Sequence, residues 1–338
     1  TTNGSYHEEP VTFTWMMNPN GDRTLINYMR DQMMPQVSKT LTEKYNVENI
    51  FYGEFIDRSN IDKGWISYAA KPRYFVNYIG VRNRLSILNE NYVYADFKTR
   101  VQGNFRLLRS ILEYASLNHS EIKQLLKDTD QKTIKRGIEP AITDSFAIKY
   151  KGEPTPEKIT IKAFEADTIP GVKGYWRYKQ SDRKRTVTVP YIADYYSIRG
   201  VKFPYAYILS VSITEVIKVL KTHGIQVELI EEDITLEVER FKIKEIKPSD
   251  RLNQGHYTNS IKGEFVTETK EFPAGTYVIR TAQPLGNLVS YLLEPQADDG
   301  LFKWNYFDRY IVPQWGRGYY PYPVYKVIEK TEIKTVVK

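Results

Sequence analysis

The stretch Arg73–Tyr92, with the sequence RYFVNYIGVRNRLSILNENY, decides the expected fold of the first third of the chain. Its apolar residues Leu85, Ile87 and Leu88 predict a short buried strand, because the run is too short to form a helix of its own. Glu90 follows this strand, and in α/β proteins ligands bind at the carboxyl ends of the strands. The stretch therefore predicts the edge of an active site that carries one carboxylate.

A helix is predicted directly after this stretch. Asp96 is a suitable N-cap residue, and apolar residues recur at helical spacing as far as residue 118. We expect these apolar residues to form the face that packs on the core: Phe97, Val101, Phe105, Leu108, Leu112 and Ala115.

The residue types alone leave two interpretations of Glu90 open. A carboxylate at the end of a strand can act in catalysis, with the basic residues before it as substrate contacts. Ionisable residues near strand ends are common, however, and Glu90 could instead form an ion pair with Arg82 or Arg84.

The composition is that of a globular protein. The chain has 338 residues, of which 41% are hydrophobic and 26% are charged, so it is long enough for two domains with a sizeable core. No apolar run approaches the ~20 residues of a membrane span. The first residues have neither the basic start nor the apolar core of a signal peptide, and the chain does not begin with Met, so we expect a fragment of a longer protein.

Cysteine content and charge narrow the possible chemistry. The chain has no cysteine, which excludes disulfides, thiol catalysis and cysteine zinc sites within it. The net charge of +7 is spread along the sequence, and the dense basic run Arg183–Arg185 follows a turn-like segment. We interpret this run as a solvated hairpin tip and expect no nucleic-acid partner.

The clearest linker is the segment Gly152–Pro156, with the sequence GEPTP. We therefore predict a first domain over residues 1–127, a linker over 128–157 and a second domain over 158–338. The first domain is predicted to be α/β. In the second, alternating apolar residues and helical stripes follow one another without a repeat, which predicts a mixed α+β domain of unknown role.

Complete catalytic motifs are absent from the sequence. The four histidines are His7, His119, His223 and His256, and none stands in a His-x-x-Glu or His-x-x-x-His pattern that could begin a zinc site. There is also no nucleophile elbow and no phosphate-binding glycine loop. The residues of this chain alone predict no self-sufficient enzyme.

Two stretches together resemble the zinc metallocarboxypeptidase family, in particular bacterial members with a C-terminal extension. Tyr78–Phe97 contains YIGVRNR, ILNE and YADF and is similar to the strand with the family's catalytic glutamate and the start of its last helix. Thr1–His7, TTNGSYH, is similar to the segment that directly follows the third zinc-ligating histidine. The resemblance covers about residues 1–118 and, less specifically, 150–326.

The resemblance implies that residues 1–127 are the C-terminal portion of a peptidase-type α/β sheet domain. It implies zinc as the cofactor of the full-length protein, with all ligands upstream of Thr1. Glu90 is then the general base that takes a proton from zinc-activated water and passes it to the leaving amine. The family also contacts its substrate through a mobile tyrosine, for which both Tyr68 and Tyr78 are suitably placed; we favour Tyr78.

The implied full-length protein is a secreted or periplasmic bacterial hydrolase that acts on peptide or protein substrates, with Arg82 and Arg84 as candidate substrate contacts. The fragment by itself is expected to be inactive. The alternative is a non-catalytic peptide- or glycan-binding protein with a degenerate peptidase-like half. In that case the tyrosine-rich residues 319–325 would form the binding face.

Overall fold

Helices and strands are mixed along the whole chain. The computed structural model describes residues 2–209, 213–313, 315–316 and 318–337. The α-helices of this part are α1 (Arg23–Tyr28), α2 (Met34–Tyr45), α3 (Phe75–Val81), α4 (Phe97–Leu117), α5 (His119–Ile138), α6 (Thr214–Thr222), α7 (Gly286–Leu293) and α8 (Asp308–Ile311). A π-helical turn at Met29–Met33 joins α1 to α2.

The strands of the described residues form four sheets. In chain order they are β1 (Thr2–Asn3), β2 (Val11–Trp15), β3 (Asn49–Phe51), β4 (Glu54–Phe55), β5 (Trp65–Ile66), β6 (Ile87–Tyr92), β7 (Ser145–Pro154), β8 (Ile159–Thr168), β9 (Tyr178–Val189), β10 (Tyr191–Lys202), β11 (Ala206–Leu209), β12 (Glu228–Ile230), β13 (Ile234–Pro248), β14 (Asn259–Phe272), β15 (Tyr277–Arg280), β16 (Val324–Val327) and β17 (Thr335–Val337). The mixed character that the sequence predicts is therefore confirmed.

Two compact units divide the chain. The first contains the residues up to 80 together with 84–126 and 151–196, and the second contains 81–83, 127–150 and the residues from 197 onward. The segment 128–157, predicted as a linker, consists largely of the second half of α5 and of β7. This segment forms a helix and a strand because its apolar residues pack. Its charged residues and its Gly-Glu-Pro sequence had suggested a loop. The roles predicted for the two domains stay predictions.

The first unit contains the sheet β1-β6-β2-β3. Its strand β6 is parallel to β1 and antiparallel to β2, and β3 is parallel to β2. Glu90 is the fourth residue of β6, so our prediction that the strand ends before it was wrong. The strand continues through polar residues because two of them have partners on α4: Asn89 donates to the side chain of Asn104, and Asn91 donates to the main-chain oxygen of Arg100.

Helix α4 begins where the sequence predicts, with Asp96 accepting a hydrogen bond from the amide of Thr99 at 3.0 Å. Its buried face is different from the predicted one and consists of Gly103, Leu107, Ser110 and Tyr114. Gly103 permits this packing, since a Cβ there would lie 2.6 Å from a methyl group of Val11.

The apolar residues that were expected to face the core are instead largely exposed on α4. We call this set the apolar stripe: Phe97, Val101, Phe105, Leu108 and Leu112. The prediction was wrong because helical spacing identifies an apolar face but not the neighbour that covers it.

The hairpin of β8 and β9 belongs to the first unit, and its strands pair with Ile159 opposite Val189. It is attached to the segment that follows β1. His7 forms a β-bridge with Ala163, and the amide of Glu8 donates to the main-chain oxygen of Lys162 at 2.9 Å. This part of the chain was predicted to lie beyond the linker.

The basic run Arg183–Arg185 lies within β9 and not at a hairpin tip. Its charges are matched by acidic neighbours. Arg183 donates to Glu165 at 2.9 Å, and Arg185 donates to Asp62 at 2.8 Å. A basic run whose charges are paired in this way does not form an electropositive patch.

The first part of β10 also belongs to the first unit. Its residue Asp194 is buried and accepts hydrogen bonds from Arg23 of α1 and from Arg30 of the π-helical turn. Tyr196, next but one in the chain, donates to the same carboxylate at 2.7 Å. These contacts fix residues 191–196 against the helices that begin at Arg23.

The second unit is built on the seven-stranded antiparallel sheet β14-β13-β16-β11-β15-β12-β17. A buried ion pair lies in this unit: the Nζ of Lys326 is 2.9 Å from Oε1 of Glu294, and the two side chains are 2% and 1% exposed. Tyr207 donates to the same carboxylate at 2.7 Å, and Lys326 donates to the main-chain oxygen of Lys202 at 2.8 Å. Each buried charge is therefore stabilised by its partner and by these hydrogen bonds.

We predict that Lys326→Met destabilises the protein by ~3–5 kcal/mol, because it leaves the carboxylate of Glu294 buried without a counter-charge. The free energy of unfolding in guanidinium chloride measures the effect. Lys334→Met is the matched control, since Lys334 and Glu232 form a 2.9 Å pair whose side chains are 59% and 61% exposed, and its loss should cost less than ~1 kcal/mol. Equal effects of the two substitutions would contradict the prediction.

Candidate functional site

Glu90 lies on the face of the four-stranded sheet that is turned away from α4. Successive side chains of a strand point to opposite faces, and Asn89 and Asn91 both bond to α4. Glu90 and Tyr92 therefore share the other face. Glu90 is half-buried there, and its main-chain oxygen accepts a hydrogen bond from the hydroxyl of Thr12 at 3.1 Å.

Tyr68 is a buried side chain that interacts electrostatically with Glu90. Burial raises the pKa of Tyr68 well above its usual value, and the negative charge of Glu90 adds a smaller contribution in the same direction. The ring of Tyr68 lies nearly perpendicular to the rings of Tyr52 and Tyr74, at 5.8 and 5.2 Å. Its hydroxyl is buried and makes no hydrogen bond to any residue that the structure describes.

Two tyrosines of β10 hold this region in place. The hydroxyl of Tyr191 donates to the main-chain oxygen of Tyr52 at 2.9 Å. The hydroxyl of Tyr195 donates to the main-chain oxygen of Tyr68 at 3.1 Å. Burial raises the pKa of both phenols, so they stay neutral at physiological pH and act as donors. A raised pKa also keeps Tyr68 protonated, so its unbonded hydroxyl can donate to a ligand.

A buried histidine follows β1. The side chain of His7 is fully buried, with its Nδ1 3.4 Å from Oε2 of Glu9. Its ring contacts the rings of Tyr92 at 4.8 Å and Trp65 at 6.0 Å. The other carboxylate oxygen of Glu9 accepts from the amide of Lys162 at 2.8 Å, so this pair helps to attach the hairpin to the segment after β1.

Tyr78 and Arg84 are the other predicted site residues of the first unit. Tyr78 is half-buried on α3, with its ring 6.5 Å from that of Phe75. Arg84 is exposed.

Arg82 has a partner of its own. It belongs to the second unit, where its Nη1 donates to the main-chain oxygen of His223 at 2.8 Å, at the C-terminal end of α6. A cation is favourable at this position of a helix. Burial lowers the pKa of His223, and the charge of Arg82 lowers it further.

The described residues do not supply a metal site on their own. They contain no group of three histidine, cysteine, aspartate or glutamate side chains that could hold an ion. What the face around Glu90 offers is one carboxylate that can exchange a proton and one phenol that can donate a hydrogen bond.

No helix of the described part is both long and apolar enough to cross a membrane.

Sequence reasoning missed the tyrosines that build this face. Tyr191 and Tyr195 come about 100 residues after Glu90, beyond the predicted linker, and nothing in their local sequence ties them to it. The Tyr195-Tyr196 pair was noticeable as a cluster of aromatic residues. A cluster of this kind indicates packing at a sheet edge but does not identify the strand against which it packs.

Comparison of the chain with models of protein families, with curated proteins and with solved structures found no match.

Proposed function

We propose that the protein is the C-terminal part of a zinc-dependent peptidase of the metallocarboxypeptidase type, with Glu90 as its general base. The observation that carries the proposal is the setting of Glu90. It lies on the strand that pairs in parallel with β1 and interacts electrostatically with Tyr68, whose buried hydroxyl has no hydrogen-bond partner among the described residues.

The chemistry assigned to this chain is proton transfer. When bound, the zinc ion of such a peptidase acidifies a water molecule, and the proposal takes its ligands from residues that precede Thr1. Glu90 would accept the proton at its carboxylate and later give it to the leaving amine. The proposal assigns the substrate hydrogen bond to Tyr68 in place of Tyr78, because the hydroxyl of Tyr68 is buried without a hydrogen-bond partner among the described residues and interacts electrostatically with Glu90.

The apolar stripe of α4 fits the same proposal. It is unusual for the surface of a complete domain to expose five large apolar side chains along one helix. The rest of a peptidase domain would cover them, because the sheet β1-β6-β2-β3 is only part of the sheet that the resemblance implies.

The alternative is a non-catalytic binding protein, and exposed aromatic residues of the second unit favour it. Trp315 is 84% exposed and Tyr320 is 55% exposed. The proposed binding face over 319–325 is smaller than the sequence suggests, however, since Tyr322 and Tyr325 are buried. The residues directly before Thr1 in the full-length protein separate the two functions: a histidine there supports the peptidase.

We predict that Glu90→Gln lowers peptidase turnover of the full-length protein by ~10²–10⁴-fold, because it removes the proton acceptor and keeps the shape of the side chain. Turnover, zinc content and melting temperature are measured on one preparation. Zinc content should not change. A lower melting temperature with unchanged turnover per folded molecule would mean that Glu90 serves only in packing or ion pairing.

We predict that Tyr68→Phe stabilises the protein and weakens its activity at the same time. Removing a buried hydroxyl that makes no hydrogen bond should increase the free energy of unfolding by ~1–3 kcal/mol. Loss of a donor to the substrate should lower kcat/KM at least about tenfold. Tyr78→Phe is the control for the second effect, and a larger loss of kcat/KM in that variant would assign the substrate contact to Tyr78.

We predict that Leu112→Lys has different effects on the stability of this 338-residue chain and on that of the longer polypeptide. Leu112 is 69% exposed, so the substitution should change the free energy of unfolding of the chain by less than ~0.5 kcal/mol. In the longer polypeptide it should cost more than ~2 kcal/mol, because it would bury an unpaired charge. Gln102→Lys, at an exposed position of α4 off the apolar stripe, should be mild in both. A mild effect of Leu112→Lys in both would show that the stripe is not covered.

A further inference from the structure

A cavity of about 650 Å³ lies in the first unit beside the segment that follows β1. Four parts of the chain line it, and they are far apart in sequence: residues 3–6, residues 52–58, Tyr94 and residues 176–180. The last of these parts belongs to the β8–β9 hairpin. We call this cavity the hairpin pocket.

The hairpin is held against the rest of the pocket by defined contacts. The hydroxyl of Tyr6 donates to the main-chain oxygen of Tyr178 at 3.0 Å, and the hydroxyl of Tyr92 donates to Oε1 of Gln180 at 3.2 Å. Because these bonds come from residues next to β1 and within β6, the hairpin forms a fixed wall of the pocket.

The lining of the pocket contains one carboxylate, Glu54, and two cations, Arg58 and Lys179. The hydroxyl of Ser5 donates to Glu54 at 2.7 Å, and the guanidinium of Arg58 pairs with the same carboxylate. The guanidinium also lies over the ring of Tyr6, 4.5 Å from its centre. Glu54 and Arg58 neutralise each other, and the exposed Lys179 adds one positive charge to the lining.

The rim carries two exposed aromatic side chains. Trp176, in the turn between β8 and β9, is 75% exposed, and Tyr94, just after β6, is 70% exposed. Large aromatic side chains of this kind supply much contact area at a small cost in conformational entropy. Together with Asn3, Gly4 and Ser5, they give the pocket the Tyr-, Trp-, Ser-, Gly- and Asn-rich composition that is typical of antibody surfaces that bind proteins and peptides.

The hairpin pocket borders the face of Glu90. Tyr52 lines the pocket and is in ring contact with Tyr68, which senses the charge of Glu90. On the other side, Tyr94 contacts the ring of Tyr92, which shares the face of Glu90, at 5.4 Å. A chain bound at Glu90 therefore has the hairpin pocket as its neighbour.

We infer that the hairpin pocket binds the part of a peptide substrate that lies away from the scissile bond, and that it selects large apolar or aromatic side chains there. The inference rests on the proposed peptidase function and extends it: the hairpin, which comes after the peptidase-like residues in sequence, forms a wall of the substrate site. Trp176 and Tyr94 are the residues that set this selectivity.

The first experiment measures binding to the chain as it stands, by isothermal titration calorimetry. The probes are a hexapeptide of phenylalanine and leucine residues, a hexapeptide of serine and glycine residues, and a hexamer of N-acetylglucosamine. The apolar hexapeptide should bind at least about tenfold more tightly than the other two. Trp176→Ala and Tyr94→Ala should weaken this binding about tenfold or more. Trp315→Ala, which removes an exposed tryptophan of the second unit, should have no effect.

Three results would overturn the inference: no binding of the apolar hexapeptide, equal binding by the wild type and Trp176→Ala, or a preference for the sugar hexamer. Melting temperatures establish that the variants are folded, as expected for side chains that are mostly exposed.

The second experiment separates this inference from the proposed function and uses the full-length protein. Trp176→Ala should raise KM for hexapeptide substrates more than for dipeptide substrates, whereas Glu90→Gln should lower kcat for both. If Glu90→Gln leaves kcat unchanged but Trp176→Ala still weakens hexapeptide binding, the peptidase assignment fails and the peptide pocket stands. If kcat falls in Glu90→Gln but Trp176→Ala alters neither KM nor binding, the pocket assignment fails and the peptidase assignment stands.

Discussion

The alternation of side chains along β6 is the constraint on which the candidate site depends. This strand has neighbours on both sides, β1 and β2, so its register is fixed and no slip by one residue is possible without reversing both faces. Asn89 and Asn91 are committed to α4 by their hydrogen bonds. Glu90 and Tyr92 are consequently committed to the opposite face, where the buried tyrosines lie. The hydrogen bonds of Asn89 and Asn91 with α4 thus determine on which face of the sheet the carboxylate of Glu90 lies.

The buried tyrosines near Glu90 use their hydroxyls in two different ways. Tyr191 and Tyr195 use their hydroxyls on main-chain oxygens and so become part of the framework. Tyr68 lies among them with its own hydroxyl unbonded among the described residues. An unbonded buried donor lowers stability, and costs of this kind are characteristic of positions where a ligand completes the arrangement.

Local features were predictable from the sequence, and long-range ones were not. The strand around Leu88 and the cap at Asp96 follow from patterns of a few residues. The end of β6 was misplaced because Asn89 and Asn91 are polar, and their partners on α4 cannot be read from the strand itself. The burial of α4 was assigned to the wrong face, since Gly103, which allows its close contact with Val11, looks like a weak point of a helix. For the site, Glu90 was singled out, but Tyr191 and Tyr195 were not, because only the three-dimensional fold brings them next to Tyr68.

The interleaved composition of the first unit has a consequence for how the protein is made. The residues up to 126 cannot complete this unit, because the β8–β9 hairpin and the first part of β10 come from residues 151–196. At typical rates of translation, the 70 residues from 127 to 196 need about 4–14 s to be synthesised. During that time the apolar rings of Trp15 on β2 and Phe51 on β3 have no Tyr191 to pack against them. The nascent chain therefore exposes this apolar surface for seconds, which is the period in which a ribosome-associated chaperone would protect it.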